Sequence, residues 1–164
     1  MMNSGQILHG TQDGVEVLRY KGDVRHTLCV ALDRYLQPLL EKEGLKGFVV
    51  DLTAADSIDS TNLGILARLA RAMQKAGLPK VTLISDQPDI NELLEAVGFD
   101  NVFNIVAARE TELDKLSEIP EIASGHVKTT QLLLEAHRAL MDLNKKNRDQ
   151  FKDVVKAFES ELES

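Results

Sequence analysis

The chain has 164 residues, 43% of them hydrophobic, and a formal net charge of −7. The length suits one domain with a proper core plus an appendage, and the acidic balance argues against a nucleic-acid partner, which requires a basic patch. The chain opens without a secretory leader pattern and has no apolar run of transmembrane length, so we expect a soluble, cytoplasmic protein with no membrane partner. The single cysteine, Cys29, falls among apolar residues of a predicted helix, which indicates a buried, inert thiol.

The N-terminal part predicts a β-hairpin followed by a helix. Residues 6–9 and the alternating run 15–20 form its strands, with Asp13-Gly14 as a strong turn signal between them. Residues 21–23 are expected to end the hairpin. A helix over 27–43 follows, and Pro38 is expected to kink it or to end it early.

The central stretch predicts a strand, a loop and a helix. Residues 47–52 are an apolar run with adjacent valines, which suits a strand buried on both faces, and the polar residues 53–60 read as a loop. Apolar residues then recur at helical spacing: Leu63, Leu66, Leu69, Ala70 and Met73. A further strand is predicted at 81–84, a helix at 89–97, a strand at 102–106 and a helix at 110–116. This order predicts an α/β fold with a mixed sheet that is parallel after the hairpin.

The predicted helix begins at Asp59-Ser60-Thr61-Asn62, where Asp59 and Ser60 are both good N-cap residues. A hydroxyl at this point is expected to be partly exposed, and the unpaired N–H groups of the helix start would stabilise a phosphate added to it. The alternative is an ordinary capped turn without chemistry.

The C-terminal part predicts an amphipathic extension. We expect a domain over 1–118, a linker over 119–125 and a helical extension over 126–164, as one long helix or as two helices broken near 144–147. Its apolar stripe must be buried against its own core, against a second copy in a homodimer, or against a partner. His9, His26 and His137 lack any metal-ligand spacing and are expected to be solvated or locally bonded.

Residues 58–65, which read Ile-Asp-Ser-Thr-Asn-Leu-Gly-Ile, follow Val-Val-Asp-Leu at 49–52. This combination resembles the signature of the STAS family, the sulfate-transporter and anti-sigma-factor-antagonist domains, and the similarity covers about residues 15–116. Asn62 departs from it, because many members have glycine there. The resemblance implies a STAS fold and an anti-sigma factor antagonist (anti-anti-sigma) type of bacterial regulator, here with a C-terminal helical extension.

The resemblance also implies a partner-switching mechanism that involves no cofactor. A serine kinase that acts as an anti-sigma factor would phosphorylate a hydroxyl of the motif, and a PP2C-type phosphatase would remove the phosphate. The unmodified domain would bind the kinase and the phosphorylated domain would not, since a phosphate beside Asp59 opposes docking. Thr61 aligns with the phosphoserine of the best-known antagonists, but Ser60 is the serine of the pair and is slightly favoured.

Ser57 is a weaker third candidate for the phosphate. Partner contacts are expected at four residues of the motif: Asp59, Asn62, Leu63 and Gly64.

Other functions have less support in the sequence. Asp51 and Asp59 are not favoured as a catalytic pair, because no third group is positioned beside them. The chain has no Gly-x-Ser-x-Gly elbow and no nucleotide-binding glycine loop, so we expect no enzyme activity and no metal. A scaffold or dimerisation module that is not phosphorylated, and a small-ligand α/β sensor, remain as alternatives.

Overall fold

The computed structural model describes residues 4–107 and 116–164. The strands are β1 (Gln6–Gln12), β2 (Val15–Val24), β3 (Gly47–Ile58), β4 (Thr82–Ile84), β5 (Asn104–Val106) and β6 (Ser117–Glu118). The α-helices are α1 (Cys29–Leu40), α2 (Ser60–Lys75), α3 (Pro88–Ala96), α4 (His126–Met141) and α5 (Lys145–Glu163), and single 3₁₀ turns lie at His26–Leu28 and Phe99–Asn101. No helix within these two ranges is long and apolar enough to cross a bilayer.

The strands form one mixed sheet in the order β5-β4-β3-β2-β1-β6. β1 is antiparallel to both of its neighbours, whereas β2, β3, β4 and β5 run parallel to one another. Asp13 and Gly14 join β1 to β2 with φ angles of 53° and 83°, the left-handed backbone that a two-residue hairpin turn requires. The predicted α/β class, with a hairpin followed by parallel strands, is confirmed.

Two boundaries predicted around the central strand are wrong. β2 continues through 21–23 to Val24, and β3 continues through most of the predicted loop to Ile58, so that Val24 and Ile58 are paired. Two register shifts give β3 its extra residues. Beyond the end of the short β4, the Gln87 side-chain amide donates to the carbonyl oxygens of Thr53 (2.9 Å) and Ala55 (2.8 Å). The polar residues are extended because their backbone groups find partners on both sides.

Three of the four helices predicted in the core are found within the described residues, but not with every predicted boundary. α1 ends at Leu40, in the turn that contains Pro38, so the early end was correctly expected and the prediction of 27–43 was too long. The helix predicted over 110–116 falls on residues that lie outside the described ranges, apart from Leu116.

The C-terminal extension consists of two helices, and we call α4 and α5 together the C-terminal hairpin. The turn between them ends at Asn144, whose side chain caps α5 by accepting the N–H of Asn147 at 2.8 Å. The hairpin packs on the rest of its own chain, since Leu132, Ala136 and Leu140 belong to the same hydrophobic core as the sheet. The sequence analysis considered its own core, a second copy and a partner as the surface that buries the apolar stripe, and in the structure the stripe packs on its own core.

Candidate functional site at the start of helix α2

Asp59 connects the central strand directly to helix α2. Its backbone is extended (φ −80°, ψ 168°), and its N–H donates to the carbonyl of Val24 at 3.1 Å. Its carboxylate oxygen Oδ1 accepts the backbone N–H of Asn62 at 2.9 Å and the side-chain amide of Asn62 at 3.0 Å. Asp59 is therefore the N-cap, and Ser60 is the first residue of the helix.

The three candidate hydroxyls lie in different surroundings. Ser57 is exposed and donates a hydrogen bond to the carboxylate of Asp23. Ser60 is half-buried, with its Oγ atom 2.8 Å from Nε2 of His137. Thr61 is only 4% exposed. The sequence predicted a partly exposed hydroxyl at the start of the helix. Ser60 has such a hydroxyl, whereas Thr61 is buried.

His137 is the residue of this site that sequence analysis missed. It lies on α4 and is 4% exposed, with its ring centroid 5.6 Å from that of Phe151 and 5.5 Å from that of Phe158. Its Nδ1 atom is 2.7 Å from the backbone carbonyl oxygen of Leu133. Because a carbonyl only accepts, Nδ1 carries the hydrogen; in the neutral ring Nε2 is then an acceptor, and the Ser60 hydroxyl donates to it.

The residues predicted to contact a partner are mostly covered by the hairpin or by the core. Asn62, Leu63 and Gly64 are buried. At Gly64 the backbones of α2 and α4 touch: a Cβ atom placed there would lie 2.2 Å from the carbonyl oxygen of Ala136. Asp59 keeps a 30% exposed side chain, and Nδ1 of His26 lies 3.8 Å from its Oδ2.

Ion pairs surround the contact between α2 and α4. Arg68 lies 3.1 Å from the Asp33 carboxylate on α1 and 3.7 Å from that of Glu135 on α4. One turn further along α2, Arg71 lies 3.2 Å from Asp142. These partly exposed pairs contribute little to stability individually, but they place the hairpin on one face of α2.

Asp51, the other carboxylate considered in the sequence analysis, is held by hydrogen bonds within the sheet. Its Oδ1 accepts the N–H (2.9 Å) and the hydroxyl (2.7 Å) of Thr53, and its Oδ2 lies 3.2 Å from Nε of Arg19. Burial acts to raise the pKa of Asp51, but the two Thr53 donors and Arg19 outweigh it and hold the pKa below its usual value. Asp51 is therefore an ionised carboxylate that ties β2 to β3.

Comparison with known protein families agrees with this fold and with the motif at the start of α2. The STAS domain matches residues 7–112, more than half of the chain, so this protein belongs to the STAS domain family. The match ends before the C-terminal hairpin, which is an addition to the family's domain in this chain. A comparison with curated proteins gives no match.

Two solved structures resemble the chain. An anti-sigma factor antagonist from Mycobacterium paratuberculosis superimposes with a TM-score of 0.52 and 23% identity, over 64% of this chain and 87% of that one. The anti-sigma factor antagonist SpoIIAA in its unphosphorylated form gives a TM-score of 0.55 and 15% identity, over 65% of this chain and 90% of its own. At these identities the similarity establishes a shared fold.

Proposed function

We propose that this protein is a non-enzymatic regulator of a bacterial partner-switching pathway, controlled by a phosphate on Ser60. The observation that carries the proposal is the position of Ser60: it is the first residue of α2, directly after the Asp59 cap, within the motif of a STAS domain. The two similar structures are anti-sigma factor antagonists, and one of them is described as unphosphorylated.

Exposure and position in the motif together support Ser60 over the other candidate hydroxyls. Ser60 is half-buried beside a partly exposed Asp59, whereas Thr61 is 4% exposed and would need a larger rearrangement to reach a kinase active site. Ser57 is exposed, but it precedes the helix and its hydroxyl is bound to Asp23. We therefore rank Ser60 first, Thr61 second and Ser57 third as the acceptor.

The phosphate would act through charge. It adds roughly −1.5 to −2 charges at neutral pH, next in sequence to the Asp59 carboxylate. A partner that docks on the start of α2 must then desolvate two neighbouring negative groups, so binding is opposed. In this scheme the unmodified chain binds a serine kinase of the anti-sigma type, and a PP2C-type phosphatase restores that state.

Phosphopeptide mapping of the protein isolated from its own cells tests the proposal. We expect a species heavier by about 80 Da, with the added group on Ser60, whose amount changes with growth conditions. Ser60→Ala should abolish this species, while the matched variant Thr61→Val, which also removes one hydroxyl, should retain it. A phosphate found solely outside residues 57–61, or none under any condition, contradicts the proposal.

A further inference from the structure

The C-terminal hairpin occupies the face of α2 on which the motif lies. Ser60 and Gly64 are one turn apart on α2, so they present the same face, and they meet the neighbouring residues His137 and Ala136 of α4. The contact combines a hydrogen bond from a hydroxyl with a backbone-to-backbone approach that only glycine permits. A partner that docks along the Ser60 and Gly64 face of α2 must first displace α4.

The hydrogen bond between Ser60 and His137 depends on the Ser60 proton. Since the Leu133 carbonyl fixes the hydrogen on Nδ1, Nε2 presents a lone pair to Ser60. A phosphorylated or carboxylate side chain at position 60 offers acceptor oxygens instead, and two acceptors then face each other. His137 is 4% exposed and packs against two phenylalanine rings, which hold its ring in this orientation.

The position of α4 beside Ser60 is set by a backbone contact. The separation of the two helices is set one turn away, where Gly64 touches the backbone of Ala136. Because this backbone contact fixes α4 relative to Ser60, repulsion between an acceptor group at position 60 and Nε2 of His137 acts on α4 as a unit.

We propose that the C-terminal hairpin is an intramolecular cover that competes with the kinase-type partner for the Ser60 face of α2 in the unmodified chain, and that a negative charge on Ser60, which releases that partner, also keeps this cover open. The inference rests on the proposed function for the source of the charge, but the cover itself is a property of the chain alone. The occupant of the vacated face is then a second partner, distinct from the kinase-type partner whose docking the charge opposes. It is a helical segment with a small residue opposite Gly64, because that is the chemistry α4 presents there through Ala136.

Hydrogen exchange of the full-length protein, followed by mass spectrometry, tests the cover without any partner. Ser60→Asp introduces the charge, and Ser60→Asn is the matched control of the same size without it. We expect exchange in α4 to be faster in Ser60→Asp than in Ser60→Asn by about tenfold or more, with unchanged exchange in the central strand β3. Equal exchange in the two variants overturns the proposal, as does slower exchange in Ser60→Asp, which would mean that a protonated His137 holds the charge.

Gly64→Ala provides a second test that involves no charge. Its methyl group would overlap the Ala136 carbonyl, so exchange in α4 should again accelerate while β3 stays protected. Unchanged exchange in α4 refutes the contact on which the cover depends. If Ser60→Asp unfolds the whole chain, Gly64→Ala still tests this contact between α2 and α4.

The cover and the proposed function can fail separately. If Ser60 is never phosphorylated in cells but Ser60→Asp opens α4, the cover stands without the proposed function. If Ser60 is phosphorylated and α4 exchanges as before, the cover is wrong and the proposed function stands.

Discussion

One buried amide ties the C-terminal hairpin to the end of helix α3, and its replacement makes a quantitative prediction. Asn147 is fully buried, and its Nδ2 group donates to the carbonyl oxygens of Val97 and Leu140, both at 2.9 Å. Leu140 keeps a second donor, the N–H of Leu143 at 3.2 Å, whereas Val97 keeps a long contact of 3.4 Å from the Asn144 amide. In Asn147→Ala the Val97 carbonyl is thus left nearly without a donor.

The expected loss follows from these contacts. Two net hydrogen bonds contribute about 1 kcal/mol each, and the small cavity adds up to about 1 kcal/mol, so Asn147→Ala should lower the free energy of unfolding by about 2–3 kcal/mol. Asn147→Asp has nearly the same shape but should be worse at pH 7, because a carboxylate would face two carbonyl oxygens without solvent. Urea denaturation of the two variants and the wild type gives these differences directly.

The pH dependence distinguishes the two variants. Burial raises the folded-state pKa of a carboxyl group at this position, so the unfolded chain loses the proton first as the pH rises. The extra instability of Asn147→Asp relative to Asn147→Ala should therefore grow from about pH 4 towards neutrality. Asn91→Asp, at an exposed position in α3, is the control and should stay within about 0.5 kcal/mol of the wild type. An Asn147→Ala variant as stable as the wild type would refute this account of hairpin attachment.

Three further predictions concern the central strand, the buried thiol at the start of α1 and the first turn of α2. Asp51→Asn should cost about 1–3 kcal/mol at pH 7, because the amide oxygen can still accept from Thr53 but the charged acceptor that faces Arg19 is lost. Because the folded-state pKa of Asp51 is lowered, the difference should shrink as the pH falls below about 4, and a difference independent of pH in urea denaturation would contradict this. Burial, assisted by the Asp59 charge, raises the pKa of Cys29 to about 11, so the unfolded thiol ionises first and stability should fall above about pH 9. At pH 8 an aromatic disulfide reagent should label Cys29 only in urea, and rapid labelling of the folded protein would disprove the burial argument. Asp59→Ala should lose about 1 kcal/mol by removing the N-cap and should speed hydrogen exchange in the first turn of α2, whereas Asp59→Asn should lose less; equal losses would mean that the cap is not the cause.

Local residue chemistry was sufficient to predict most elements of the sheet and helices. Asp13-Gly14 specifies a two-residue turn because few other pairs tolerate two positive φ angles in succession, and the hairpin forms there. Asp59 was predicted as a cap from its side chain alone, and its carboxylate does accept the N–H of Asn62. The predicted ends of β2 and β3 failed because polar residues such as Thr53 read as a loop, and the Gln87 side chain that bonds their carbonyls lies about thirty residues away in sequence.

The sequence by itself determined the family of this protein, the helix start at Asp59 or Ser60 and the presence of an amphipathic C-terminal extension, because each is a matter of residue type at short spacing. The tertiary structure alone decided what the extension covers. Ser60 and His137 are 77 positions apart, and no periodicity in either helix indicates that they meet. Their contact exists because Gly64 lets two backbones touch, and that fit depends on the shape of both surfaces once they are folded.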